Sequence, residues 1–199
     1  NHLASTAGYL NSTRIRCDYQ GNIYLATRST GLRRSTAASG GAAWTNITPA
    51  GLPADICDLE ISSTSAAGRL HVVTGIFTTQ GYRYTDIPAT VTSASWTAPA
   101  TAFPSYAMRA EIACMGSTLY ALPANGSYQV PTIYKSTDGG TNWAATAGQP
   151  TAGWGSGQAW YNLTVAIDPS DPNNCIVGAL DTWKTTNGGT SWSQISTWV

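Results

Sequence analysis

The residue types able to do chemistry in this chain are few and scattered. There are two histidines, His2 and His71, and no Gly-x-Ser-x-Gly elbow, so a Ser-His-Asp hydrolase has no foothold. Cys17, Cys57, Cys114 and Cys175 lie 40, 57 and 61 residues apart. That spacing excludes a CxxC zinc cluster and leaves two disulfides, in any of three pairings, or four buried thiols. No metal and no cofactor is expected. Glycoside hydrolysis needs two carboxylates roughly 5–10 Å apart, and Asp18, Asp55, Asp58, Glu60 and Glu111 are the acids available near first strands. Arg14, Arg16 and Arg109 stand beside them and could clamp an anionic substrate through bidentate bonds. No catalytic residue can be assigned from this set.

Binding asks less of a sequence than catalysis. The loop Thr151-Ala-Gly-Trp154-Gly-Ser-Gly-Gln-Ala-Trp160-Tyr161 is Gly-rich and carries three large aromatics. Exposed rings on a loop stack on sugar faces or anchor a protein partner. Trp154, with Gly on both sides, is the ring expected to be exposed; Trp160 and Tyr161 either share its surface or pack between structural units. Arg14 and Arg109 complete the ligand-binding candidates. The loop Pro123-Ala-Asn-Gly-Ser-Tyr128 is a second, weaker one. Asn11, Asn46, Asn125 and Asn162 each open an Asn-x-Ser/Thr sequon.

The elements that must position these residues announce themselves as a repeat. Tyr134-Lys-Ser-Thr-Asp-Gly-Gly-Thr-Asn-Trp143 and Trp183-Lys-Thr-Thr-Asn-Gly-Gly-Thr-Ser-Trp192 nearly coincide, and Ser35 to Trp44 and Tyr82 to Trp96 are weaker copies. Trp44, Trp96, Trp143 and Trp192 are thus 52, 47 and 49 residues apart. Within each period, short β-branched and aromatic runs such as Asp55-Ile-Cys-Asp-Leu-Glu-Ile61 and Leu163-Thr-Val-Ala-Ile-Asp168 alternate with Gly/Pro/Asn/Asp turns, the pattern of strands. No segment has a 3.6-residue period, so essentially no helix is expected. Composition agrees: Ser and Thr make up 47 of 199 residues, with 20 Gly, 8 Trp and only 2 Lys.

Four antiparallel strands per period make a propeller blade. The expected fold is all-β, a β-propeller of four-stranded antiparallel blades with four blades visible, part of a larger propeller. The divisions fall at 1–10 (N-terminal segment), 11–50, 51–101, 102–150 and 151–199, one blade each after the first, in one propeller domain. Ten cations balance ten anions, which argues against a nucleic-acid scaffold. No run of 18 apolar residues exists to span a membrane.

The stretch Ser136-Thr-Asp138-Gly-Gly140-Thr-Asn-Trp143 resembles the Asp-box, Ser-x-Asp-x-Gly-x-x-Trp, of the bacterial neuraminidase repeat. That repeat occurs in sialidases, xyloglucanase-type propeller glycosidases, sortilin-like receptors and photosystem assembly propellers. At the second copy Thr185, Asn187, Gly189 and Trp192 take the box positions, with Thr for Ser and Asn for Asp; at 37–44 only Gly41 and Trp44 match, and at 89–96 only Trp96. The resemblance implies a structural role for the box, with the hairpin on the outer rim. It also implies six or more blades. The alternatives are a closed four-blade ring or two half-propellers pairing into one of eight. The expected function is an extracellular or cell-surface recognition module of bacterial type, binding a carbohydrate or protein partner. The competing expectations are a fragment of a propeller glycosidase, sialidase-like or xyloglucanase-like, and a structural subunit that self-associates in a surface assembly.

Overall fold

The computed structural model describes residues 11–78, 80–86, 88–155 and 157–198; the N-terminal segment 1–10, with His2, lies outside them. The chain divides into two compact units, Asn1–Pro99 and Ala100–Val199, and each holds two blades.

In the first unit, β1 (Ser12–Cys17), β2 (Ile23–Thr27), β3 (Leu32–Ser35) and β4 (Thr45–Asn46) form one antiparallel sheet in sequence order. The second blade has β5 (Ile56–Ser62), β6 (Arg69–Thr74) and β7 (Gly81–Thr85). Its expected fourth strand is reduced to a single bridge between Tyr84 and Thr97. The sequence explains this: Thr97 is followed by Ala98-Pro99, and proline cannot donate to a ladder. A 3₁₀ turn at Pro88–Thr90 is the helical element here; no α-helix occurs among the described residues. The two blades meet through Tyr24, Leu32, Ile47, Ile56, Leu59, Leu70 and Val72, a dry core between sheets.

The second unit repeats the plan completely. Its third blade is β8 (Ala110–Met115), β9 (Thr118–Pro123), β10 (Tyr134–Ser136) and β11 (Ala144–Ala145); its fourth is β12 (Thr164–Ile167), β13 (Cys175–Gly178), β14 (Thr182–Thr185) and β15 (Ser193–Ser196). Tyr120, Leu122, Val130, Ile133, Val177 and Trp183 bury the apolar surface between them. Burying a side chain of this size is worth about 1.5–3 kcal/mol, and neither sheet could bury that face alone.

The turns between third and fourth strands show why the Trp-spaced motif holds. Ser136 Oγ accepts from Gly140 N at 2.9 Å and donates to Asp138 Oδ1 at 2.8 Å. Asp138 Oδ1 accepts from Asn142 N at 2.8 Å, and Trp143 Nε1 donates to Gly140 O at 3.1 Å. Thr185 and Asn187 reproduce two of these bonds, Thr185 Oγ1 accepting from Gly189 N at 2.9 Å and Asn187 Oδ1 from Ser191 N at 3.0 Å. Gly140 and Gly189 have φ of 83° and 89°, a region costly for any residue with a Cβ.

The first blade builds the same turn from residues that sequence matching passes over. Ser35 Oγ accepts from Gly41 N at 3.0 Å, Ser39 Oγ accepts from Ala43 N at 2.7 Å, and Trp44 Nε1 donates to Gly41 O at 2.8 Å. Ser35 stands six residues before its glycine where Ser136 stands four before Gly140. The two extra residues shift Ser35 out of frame and hide it from an ungapped comparison.

Candidate functional site

The inner strands carry charge in pairs. Arg14 Nε donates to Asp58 Oδ1 at 2.5 Å. Two residues along each strand, Arg16 Nε donates to Glu60 Oε2 at 2.8 Å and its Nη2 pairs with Oε1. Asp58 is fully buried. Burial opposes the Arg14 charge, but the hydrogen bond to and attraction of Asp58 overcome it and hold its pKa above the ordinary value. Burial also pushes the Glu60 carboxyl up, and the Arg16 bond offsets this only in part. In the second unit Arg109 pairs with the buried Glu111 and donates from Nη1 to Tyr161 O at 3.3 Å.

Arg14, Arg16 and Arg109 are therefore each brought against one of the acids singled out by sequence, Asp58, Glu60 and Glu111, while Asp18 and Asp55 are in none of these pairs. Arg14 and Arg109 belong to different units, and each is engaged by its own carboxylate. Asp18 is not poised for catalysis either. Burial opposes its ionisation, while the side chains of Asn22 and Tyr24 and the backbone of Asn22 and Gln20 hold its pKa low. All four cysteines are free thiols, Cys57 and Cys175 buried and Cys17 exposed. Among the described residues, no three His, Cys, Asp or Glu side chains gather as a metal site would require. No described helix is long and apolar enough to cross a membrane.

The expectation for Trp154 is overturned. Its ring is 5% exposed, inside the core between the third and fourth blades, and Nε1 donates to Val130 O at 3.2 Å. Flanking glycines freed the backbone to turn inward, and the indole found both an apolar pocket and an acceptor there. The rings of this loop that do face solvent are Trp160 and Tyr161, 45% and 50% exposed. They meet edge to face, with centroids 4.5 Å apart.

Strand direction places these rings. β8 runs from Ala110 toward Met115, β9 returns, and the Ser136–Trp143 turn follows at the far end of β10. The loop after β9 and the segment before β12 thus lie at the end where β8 begins, opposite that turn. The contacts agree: Ala124 N donates to Arg109 O at 2.9 Å and Ala159 N to Tyr128 O at 3.0 Å. Tyr128 is a third exposed ring, and its φ of 60° is a strained, left-handed conformation for a non-glycine residue. Sequence reading ranked the Tyr128 loop second; the signal for its strain is Asn125-Gly126-Ser127 ahead of it, where Asn125 Oδ1 accepts from Ser127 N and Gln129 N.

This end of the second unit is a shelf held from below. Tyr161 OH donates to Gln158 Oε1 at 2.6 Å, and Asn162 Nδ2 donates to the same oxygen at 3.2 Å. Two amide oxygens of the same loops, Gln129 Oε1 and Asn162 Oδ1, are buried and accept no hydrogen bond within the protein. Exposed rings on loops suit a ligand with apolar faces to stack on them.

No protein-family model and no curated protein matches the chain. Solved structures do match it. A GH74 enzyme of Niastella koreensis superposes with a TM-score of 0.64 at 20% identity, over 91% of this chain and 29% of that one. A GH74 xyloglucanase from Xanthomonas campestris gives 0.65 at 18%, over 96% and 31%. The extracellular domain of BT4673 from B. thetaiotaomicron gives 0.63 at 14%, over 98% and 22%. These likenesses show the fold: the chain is all-β and built as part of a β-propeller, spanning less than a third of the length of these structures.

Proposed function

We propose that the chain is an extracellular recognition module that binds a neutral carbohydrate on the shelf formed by Tyr128, Trp160 and Tyr161. The observation that carries this reading is the exposed Trp160–Tyr161 pair, fixed by Gln158 and by Arg109 at its backbone. Water-facing rings at fixed positions lose little entropy on binding, and sugars offer C–H faces for stacking. The box residues Ser136, Asp138, Gly140, Trp143, Thr185, Asn187, Gly189 and Trp192 keep a structural role at the opposite end. The extracellular setting is supported by an extracellular domain among the structural neighbours.

A glycosidase fragment is the second reading, favoured by the two GH74 neighbours. Against it, Asp58, Glu60 and Glu111 each bind an arginine of the same unit rather than standing open to a substrate. Titration of the 199-residue chain with a panel of neutral oligosaccharides by calorimetry tests the proposal. Binding that weakens about tenfold or more in Trp160→Ala, with the circular dichroism spectrum retained, is the expected result. Binding unchanged in both Trp160→Ala and Tyr161→Ala, or release of new reducing ends during incubation, would overturn it.

A further inference from the structure

We propose that Asn125 is a self-modifying residue: in the folded chain the backbone nitrogen of Gly126 converts its side-chain amide, through a cyclic imide, to an aspartyl or isoaspartyl residue. The inference concerns the chain's own chemistry and is independent of what the aromatic shelf binds.

The sequence holds two Asn-Gly pairs, Asn125-Gly126 and Asn187-Gly188. A glycine after asparagine leaves the backbone nitrogen between them uncrowded, because no Cβ shields it. The reaction at either pair has the same balance. The glycine N–H gives its proton to solvent hydroxide, and the nitrogen attacks the asparagine Cγ. The displaced carbonyl electrons sit on Oδ1 as negative charge and then return as the Cγ–Nδ2 bond breaks, and ammonia leaves with a proton from water. Water next opens the imide at one carbonyl to give Asp, or at the other to give a main chain linked through the side chain. The net change is water in and ammonia out, with no oxidant or reductant.

Exposure would rank Asn187 first, since it is exposed and Asn125 is half-buried. Hydrogen bonding reverses that order. Gly188 N donates to Asn173 O at 3.0 Å, and Asn187 Nδ2 donates to Ser191 Oγ at 2.9 Å. Nucleophile and leaving group are both tied. Gly139 N, at the same place in the third blade's turn, is tied likewise, to Ser117 O at 2.8 Å. Each of these carbonyls lies between the first and second strands of its own blade, so the anchor belongs to the way this turn docks on its blade. Gly126 lies outside any such turn. Among the described residues its N–H donates to no acceptor, and the Asn125 amide nitrogen likewise donates to none.

The carbonyl end of Asn125 is prepared for attack. Its Oδ1 accepts from Ser127 N at 3.0 Å and from Gln129 N at 3.1 Å. Ser127 directly follows Gly126, so this bond folds the Asn125 side chain forward past the Gly126 nitrogen. The same two N–H groups already point at the oxygen on which negative charge develops, the arrangement of an oxyanion hole, and they hold it more strongly once it is charged. The product changes the loop. Asn125 N donates to Gln129 O at 2.8 Å and Tyr128 N to Asn125 O at 3.0 Å. An isoaspartyl link adds a methylene to the main chain inside that closed loop and releases the strained Tyr128 backbone, whose φ is 60°.

Incubation of the folded 199-residue chain in mildly alkaline buffer tests this, read by peptide mapping for Asp and isoaspartyl products. Asn125 should convert about tenfold or more faster than Asn187, which must first give up two hydrogen bonds. In urea the Asn187 rate should rise to meet that of Asn125, and Asn125 should convert no faster than it does when folded. Gly126→Ala identifies the nucleophile. A Cβ there would meet only Ala107 Cβ, at an ordinary 3.8 Å, and the Gly126 φ lies outside the left-handed region, so the variant folds while its methyl group crowds the nitrogen. Conversion at Asn125 should fall about tenfold or more. Equal rates at Asn125 and Asn187 in the folded chain overturn the inference. So does an Asn125 that converts readily in urea but about tenfold more slowly when folded, or one indifferent to Gly126→Ala.

Discussion

Lowering the pH should weaken the first unit through one residue, His71. It is fully buried on β6, with Nε2 against Ser62 Oγ at 2.8 Å and Nδ1 against Tyr82 OH at 2.7 Å. Burial, aided by the nearby Arg69 charge, pushes its pKa from 6.5 down to about 3, while Asp86 pulls weakly the other way. The folded state therefore holds a neutral imidazole, and the unfolded chain takes up a proton as soon as the pH drops below about 6.5. The stabilisation is complete above that value and is lost progressively as pH falls toward 3. At pH 4.5 the gap from 6.5 is about two units, and at about 1.4 kcal/mol per unit the loss is about 3 kcal/mol. The partner variant is His71→Gln, which retains a donor and an acceptor but does not titrate. Urea unfolding at about pH 7.5 and 4.5 reads both proteins. Glu60, Asp18 and the other carboxylates titrate in both, so the difference between the two proteins isolates the histidine. Equal losses in wild type and His71→Gln would refute the reasoning and assign acid sensitivity to the carboxylates.

Asp58→Asn should destabilise the first unit by about 3–5 kcal/mol, because it leaves the half-buried Arg14 guanidinium without its compensating charge; thermal unfolding against Asp86→Asn, whose carboxylate is far more exposed, checks it. Thiol chemistry should also be graded. Cys17 should react with an aromatic disulfide reagent at once under native conditions. Cys175, buried and with its pKa pushed up to about 12 first by desolvation, should react only after unfolding; fast modification of Cys175 would show that the fourth blade opens locally.

The sequence made the blade plan readable because turn chemistry is local. A Ser or Thr oxygen and a glycine at positive φ close the turn within ten residues in the first, third and fourth blades, and Trp44 and Trp143 add a donor to their own turns, so local spacing carries the rhythm. The second blade escaped at its outer edge, where Ala98-Pro99 cuts the fourth strand to one bridge. What depends on distant partners was not readable. Trp154 looked exposed because its neighbours are glycines, yet its fate was set by Val130, 24 residues away. The reverse held for Trp160 and Tyr161: nothing nearby marks them as surface residues, yet both are exposed. The pairing of Arg14 with Asp58 and of Arg16 with Glu60 spans 44 residues and two blades. Only their matching two-residue spacing on successive first strands hints at it.

Those internal pairs have a kinetic meaning. Arg14, Arg16 and Arg109 spend their charge on acids within the same unit, in a chain whose ten cations and ten anions cancel. The inner strands therefore project little long-range field, and encounter with another molecule gains no electrostatic steering. Association rates should sit at the unsteered level, about 10⁵–10⁶ M⁻¹s⁻¹ for a protein partner, and should barely change with ionic strength. Such a surface keeps its capture rate nearly constant across a wide range of salt.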